Sequence, residues 1–101
     1  METVKLNLNE QGRGAFVVID GEEQLGEMVL SINEGELTVY HTEVSTKAEG
    51  RGLAKILLNE MVAYARTNHL KVIALCPYVH AQFKRHPSEF EDVWKKSTDD
   101  Q

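Results

Sequence analysis

Cys76 closes the apolar run "KVIALC" and is followed at once by Pro77. A thiolate is a nucleophile, although a lone cysteine also serves as a small core residue. His41, in "ELTVYHTEV", alternates with Leu37 and Val39, so the pattern puts all three on one strand face, with Glu43 two residues further on. An imidazole there could take a proton, activate a thiol or simply hydrogen-bond within the core. The third candidate is "EGRGLA" (Glu49–Ala54), where two glycines flank an arginine as a strand gives way to a helix. A helix start presents free N–H groups and the positive end of the dipole, so it can hold an anion. Glycine admits positive φ and close approach, and Arg51 adds a planar donor suited to phosphate. No Gly-Lys-Ser/Thr follows, and the third glycine of a dinucleotide fingerprint is missing. On spacing alone the stretch reads equally as a phosphate cradle or as a turn into an ordinary helix.

Such residues need a scaffold, and the hydrophobic periodicity supplies one. "VKLNL" (Val4–Leu8) alternates as a half-buried strand does, and "GAFVVID" (Gly14–Asp20) is apolar on both faces, as an interior strand is. "QLGEMVLSI" (Gln24–Ile32) and "ELTVYHT" (Glu36–Thr42) are two further strands, and "NEQG", "DGEE" and "NEG" mark the turns. Four strands on short turns make an antiparallel meander. The period then changes. In "RGLAKILLNEMVAYAR" (Arg51–Arg66), Leu53, Leu57, Met61 and Tyr64 share a helical stripe, and Asn68 is placed to cap the end in a left-handed conformation. "KVIAL" (Lys71–Leu75) reads as a strand covered on both faces, parallel to the fourth through a right-handed crossover. Helices are expected over "YVHAQFKRH" and, from Pro87, over "PSEFEDVWKK", where Trp94 would anchor the last helix. The tail 96–101 is expected to fray.

A chain of 101 residues with 42% hydrophobic content suits one α+β domain spanning 1–101. Its net charge of −5 argues against non-specific nucleic-acid binding. No apolar run is long enough to span a bilayer, no signal segment is visible, and the lone cysteine fits a reducing cytoplasm. No cysteine–histidine cluster has metal-ligand spacing, so no metal is expected.

The succession of strand, "EGRGLA" and amphipathic helix resembles the acyl-coenzyme A motif of the GNAT acetyltransferase superfamily, Arg/Gln-x-x-Gly-x-Gly/Ala. Gly52 and Ala54 fill its two small positions. Glu49 stands where the family has Arg or Gln, and a carboxylate there is expected to point away from a pyrophosphate. "HTEV" (His41–Val44), "LCPYV" (Leu75–Val79) and "RHP" (Arg85–Pro87) extend the resemblance to a small single-domain GNAT-like subfamily of acetyl-coenzyme A binders, over nearly the whole chain. The resemblance implies an abbreviated GNAT fold, a mixed sheet splayed between its fourth and fifth strands with coenzyme A in the gap. The pantetheine arm would pair with the backbone near Glu43, Val44 and Ser45. The phosphates would lie over Glu49, Gly50, Arg51, Gly52, Leu53, Ala54 and Lys55. The first helices of the full-length superfamily are absent, so the acceptor pocket would be shallow, formed by a partner, or missing.

Moving an acetyl group from a thioester to an amine needs a base and an acid, or an activated nucleophile. The resemblance brings Cys76 forward, since cysteine recurs there in the subfamily. Cys76 would face the thioester and accept the acetyl group, with His41 assisting. Many GNAT enzymes protonate the departing thiolate with a tyrosine in the following helix, but Tyr78 is read here as a packing residue, and His86 as a residue that orders a turn or reaches the adenine end of coenzyme A. The leading function is therefore acetyl-coenzyme A-dependent N-acetyl transfer to an unknown amine. The rivals are a non-catalytic acyl-coenzyme A binding or sensing module, and an unrelated α+β scaffold whose "GRG" is only a turn.

Overall fold

The computed structural model describes residues 2–100. Five strands form one sheet in strictly sequential order: β1 (Glu2–Leu8), β2 (Arg13–Asp20), β3 (Glu23–Asn33), β4 (Glu36–Val44) and β5 (Lys71–Ala74). β1 to β4 pair antiparallel and β5 joins β4 in parallel, as the change of period predicts. The meander rests on turns at Gly21 (φ 65°) and Gly35 (φ 81°), a backbone region that side chains rarely enter. α1 (Leu53–Thr67) makes the crossover and buries Leu53, Leu57, Leu58, Met61, Val62 and Ala65. That apolar face is wider than the stripe read from sequence. Tyr64 sits at its border, edge-on to Phe16 with ring centroids 5.8 Å apart. The left-handed residue after α1 is His69 (φ 56°), not Asn68 (φ −100°), whose side chain instead donates to the Tyr64 carbonyl at 2.9 Å.

α2 (Pro77–Arg85) and α3 (Pro87–Phe90) follow β5. The last helix is much shorter than the pattern up to Lys96 predicts. The chain leaves helix after Phe90 because Val93 and Lys95 are drawn to the outer edge of β5. The Val72 N–H donates to the Val93 carbonyl at 2.6 Å, and the Lys95 N–H to the Val72 carbonyl at 2.9 Å. Trp94 therefore anchors this extended piece rather than a helix, with its ring against Phe83. The segment expected to fray carries a 3-10 turn, Thr98–Asp100, and the Asp100 carboxylate lies 2.7 Å from His80 Nε2. Gln101 lies outside the described residues. Among the described residues no helix is long and apolar enough to cross a membrane.

The core lies on one face of the sheet. Phe16, Val18, Met28, Leu30, Leu37, Val39 and Val72 point to α1, α2 and α3 and join Leu57, Phe83 and Phe90 in a single cluster. The opposite face carries Val17, Val29, Ile73 and Leu75, and none of them belongs to that cluster. β5 is therefore covered on one face only, contrary to the reading of "KVIAL", and Leu75 is 60% exposed.

Candidate functional site

Two strands part company at the carboxyl end of the parallel pair. β4 and β5 are in register only from Glu36–Lys71 to Val39–Ala74. The Val39 carbonyl then accepts from both Leu75 (3.1 Å) and Cys76 (2.8 Å), which ends the pairing, while β4 runs on to Val44. From Tyr40 onward the β5-facing edge of β4 is open. α1 starts beyond the end of β4, after a 3-10 turn at Thr46–Ala48.

A bulge decides which side chains line this gap. Val29 pairs with His41 and Leu30 with Val39, so Tyr40 is an extra residue in β4. One extra residue reverses the inward–outward alternation beyond it. Leu37 and Val39 face the core, but His41 and Glu43 face the open side, and Thr42 takes the inward position. This corrects the placement of His41 on the face of Leu37 and Val39. Its Nε2 lies 3.9 Å from Glu43 Oε1, and both side chains are at least half exposed. Cys76 is 1% exposed, and its Sγ is 3.4 Å from the Thr42 hydroxyl. The two expected catalytic residues thus have different partners on different faces, and Thr42 is the neighbour that sequence reading missed. Tyr78 is half buried and packs against the core, in keeping with its reading as a packing residue, and burial first, then the charge of Cys76, raises its pKa.

The helix start has the form the glycines predict. Gly50 (φ 84°) and Gly52 (φ 72°, ψ 24°) are left-handed, and no side chain caps α1. The first helical bond runs from the Ile56 N–H to the Gly52 carbonyl at 3.2 Å. A Cβ on Gly50 or Gly52 would meet nothing within 4 Å, so the space over the first turn is open. Leu53 is buried and pins the turn, Ala54 is half buried, and Glu49 and Lys55 are exposed. Ser45 Oγ accepts from the Lys47 N–H at 3.3 Å, and Val44 is half buried. Arg51 is less free than a phosphate donor would be. Its guanidinium is paired with Glu2 and lies 3.3 Å from Asp20 Oδ2, and these partners, Glu2 first, raise its pKa. Glu2 and Asp20 face each other across β1 and β2. Nothing in the local motif signals two carboxylates so distant in sequence.

Comparison with known proteins agrees with this geometry. No curated protein sequence matches the chain. Among solved structures, a GCN5-like protein from Staphylococcus aureus, determined by NMR, is 27% identical over 92% of this chain and 89% of its own, with a TM-score of 0.67. The ribosomal-protein-alanine N-acetyltransferase of Brucella melitensis biovar Abortus 2308 superposes at a TM-score of 0.61 and 17% identity over 87% of this chain. The ribosomal-protein-S18-alanine N-acetyltransferase of Escherichia coli does so at 0.60 and 12% identity over 65%. The alignments span only 65% of the Brucella enzyme and 43% of the Escherichia coli enzyme, and at these identities they show the fold alone. Residues 15–93 match the family described as GCN5-related N-acetyl-transferase, and with that match covering most of the sheet, α1 and the wedge between β4 and β5, the chain belongs to this family.

Proposed function

We propose that this chain binds acetyl-coenzyme A and transfers its acetyl group directly to an amine. The observation that carries this reading is the parting of β4 from β5 toward an uncapped helix start with two left-handed glycines. The pyrophosphate sits on the N–H groups of the first turn of α1, over Gly50 and Gly52, while the exposed Glu49 keeps its carboxylate in water. The pantetheine arm runs along the open edge of β4 past Glu43, Val44 and Ser45, and the acetyl group reaches the point where the strands diverge, beside Cys76 and Thr42. The amine arrives from the open face, where His41 takes its proton. The amine nitrogen bonds to the carbonyl carbon, the carbon–sulfur bond breaks, and coenzyme A departs as the thiolate. A relay through acetyl-Cys76 is disfavoured, because the thiol is buried against Thr42 and His41 is turned to the other face.

Calorimetry with acetyl-coenzyme A and turnover against a panel of amines test this reading. Binding should raise the melting temperature and shift the amide signals from Val44 to Lys55. A chain that does not bind acetyl-coenzyme A would refute it. His41→Gln should lower kcat about a hundredfold with acetyl-coenzyme A affinity unchanged, the usual scale of a lost general base. Unaltered turnover in that variant would remove His41 from the mechanism. Cys76→Ala should keep turnover, and rapid quenching should reveal no hydroxylamine-labile acetyl group on the wild type.

The Arg51 cluster makes a second testable statement. A phosphate must compete with Glu2 and Asp20 for the guanidinium, so the net gain from Arg51 is reduced. Glu2→Gln should tighten acetyl-coenzyme A binding by about threefold, the scale of an exposed ion pair, and high salt should erase the difference. Weaker binding in Glu2→Gln would mean that the pair shapes the site rather than competing for it.

The open face favours one further reading. No described helix covers it, so among the described residues no helix walls the amine side of the gap. A non-catalytic acyl-coenzyme A binding module would show acetyl-coenzyme A affinity without turnover of any amine.

A further inference from the structure

The far end of β4 lies very close to β3. Gly26 pairs with Val44, and the β2–β3 ladder steps from Val18–Gly26 to Ile19–Gln24, which leaves Leu25 as an extra residue in β3. Gly26 is buried, and unlike Gly50 and Gly52 it is not left-handed, so backbone freedom does not explain it. Space does. A Cβ at Gly26 would lie 2.9 Å from the Glu43 carbonyl oxygen, 3.2 Å from Val18 Cγ1 and 3.4 Å from Val44 Cγ2. The first of these is closer than side chains come to a backbone oxygen, so with any residue but glycine the two strands must shift where that carbonyl meets residue 26.

The displacement matters because of what shares its peptide plane. Successive N–H groups along a strand point to opposite edges. The Ser45 N–H donates to the Leu25 carbonyl on β3 at 2.7 Å, so the Val44 N–H points the other way, to the open edge of β4. The Glu43 carbonyl and the Val44 N–H are the two ends of one planar unit. A push on the carbonyl from β3 therefore tilts the N–H on the side of the gap.

We infer that Gly26 is a positioning residue, whose missing side chain sets the aim of the Val44 N–H at the pantetheine arm of an acyl-coenzyme A. The inference rests on the acetyl-coenzyme A reading given above. The test is calorimetry with two ligands, acetyl-coenzyme A and adenosine 5′-diphosphate 3′-phosphate, which is the same nucleotide without the pantetheine arm. Gly26→Ala should weaken acetyl-coenzyme A binding about tenfold, the worth of one hydrogen bond, and leave the nucleotide unaffected. Val44→Pro deletes the outward N–H while residue 26 stays glycine, and open strand edges tolerate proline. It should show the same selective loss, and it stands in for Gly26→Ala if that variant does not fold. Unchanged acetyl-coenzyme A affinity, or an equal loss for both ligands as a merely structural role would give, overturns the inference while the proposed function stands. Wild-type protein that binds no acetyl-coenzyme A overturns both.

Discussion

Gly52→Val should remain folded and bind acetyl-coenzyme A at least about a hundredfold more weakly than wild type, as if two hydrogen bonds to a charged phosphate were lost. Gly52 is the residue before α1, at φ 72°, and the space beside it is empty. A Cβ there meets nothing beyond its chain neighbours within 4 Å, and Gly52 is exposed, so the core is undisturbed. Left-handed strain costs about 1–2 kcal/mol, well within the roughly 5–15 kcal/mol of a typical domain. The isopropyl group would instead stand over the first free N–H groups of the helix, where a phosphate must approach. Gly21→Val is the matched control, because Gly21 is also left-handed (φ 65°) with nothing near its Cβ, but it lies in the β2–β3 turn. Both variants should lose similar stability, and only Gly52→Val should lose affinity. A folded Gly52→Val that binds as wild type does would remove the helix start from the site.

Phe83→Ala should have the largest effect on stability, about 3–5 kcal/mol. Phe83 is fully buried on α2, 4.8 Å from the Phe90 ring and 5.7 Å from the Trp94 ring, centroid to centroid. Its ring joins α2 to the single turn of α3 and to the extended Val93–Lys95, beside the hydrogen bonds that hold that piece to Val72. For a domain of this size the melting temperature should fall by about 12 °C or more. Lys84→Ala, one residue on and exposed, should change it very little. A small shift in Phe83→Ala would mean that the aromatic cluster collapses to fill the cavity.

Much of this architecture is legible in the sequence, for physical reasons. Gly21 and Gly35 mark turns because their backbone conformation excludes most side chains, and the alternation between them yields strands of nearly the observed length. Gly50 and Gly52 mark the helix start for the same reason. The bulge at Tyr40 leaves no such trace, since an extra residue in a ladder is a property of two strands, not of one. Counting by twos from Leu37 therefore placed His41 inward, where Thr42 stands. The close contact at Gly26 is equally silent, because its cause is a carbonyl on the neighbouring strand. Arg51 reads as a phosphate donor until Glu2 and Asp20 arrive from strands at the start of the chain. The helical pattern after Pro87 failed because hydrogen bonds to Val72 outweighed local propensity.

The sequential strand order has a kinetic consequence. Every strand of the meander pairs with its immediate predecessor, so each hairpin closes only a short loop of chain. Short loops lose little entropy on closure, and chains rich in such contacts fold quickly for their size. The one strand that must wait is β5, which cannot dock until α1 has carried the chain back beside β4. A chain emerging amino end first could thus lay down β1 to β4 in order of synthesis. The gap between β4 and β5 would be the last part of the sheet to take shape, and the clasp of Arg51 on Glu2, 49 residues apart, would close only once α1 had docked.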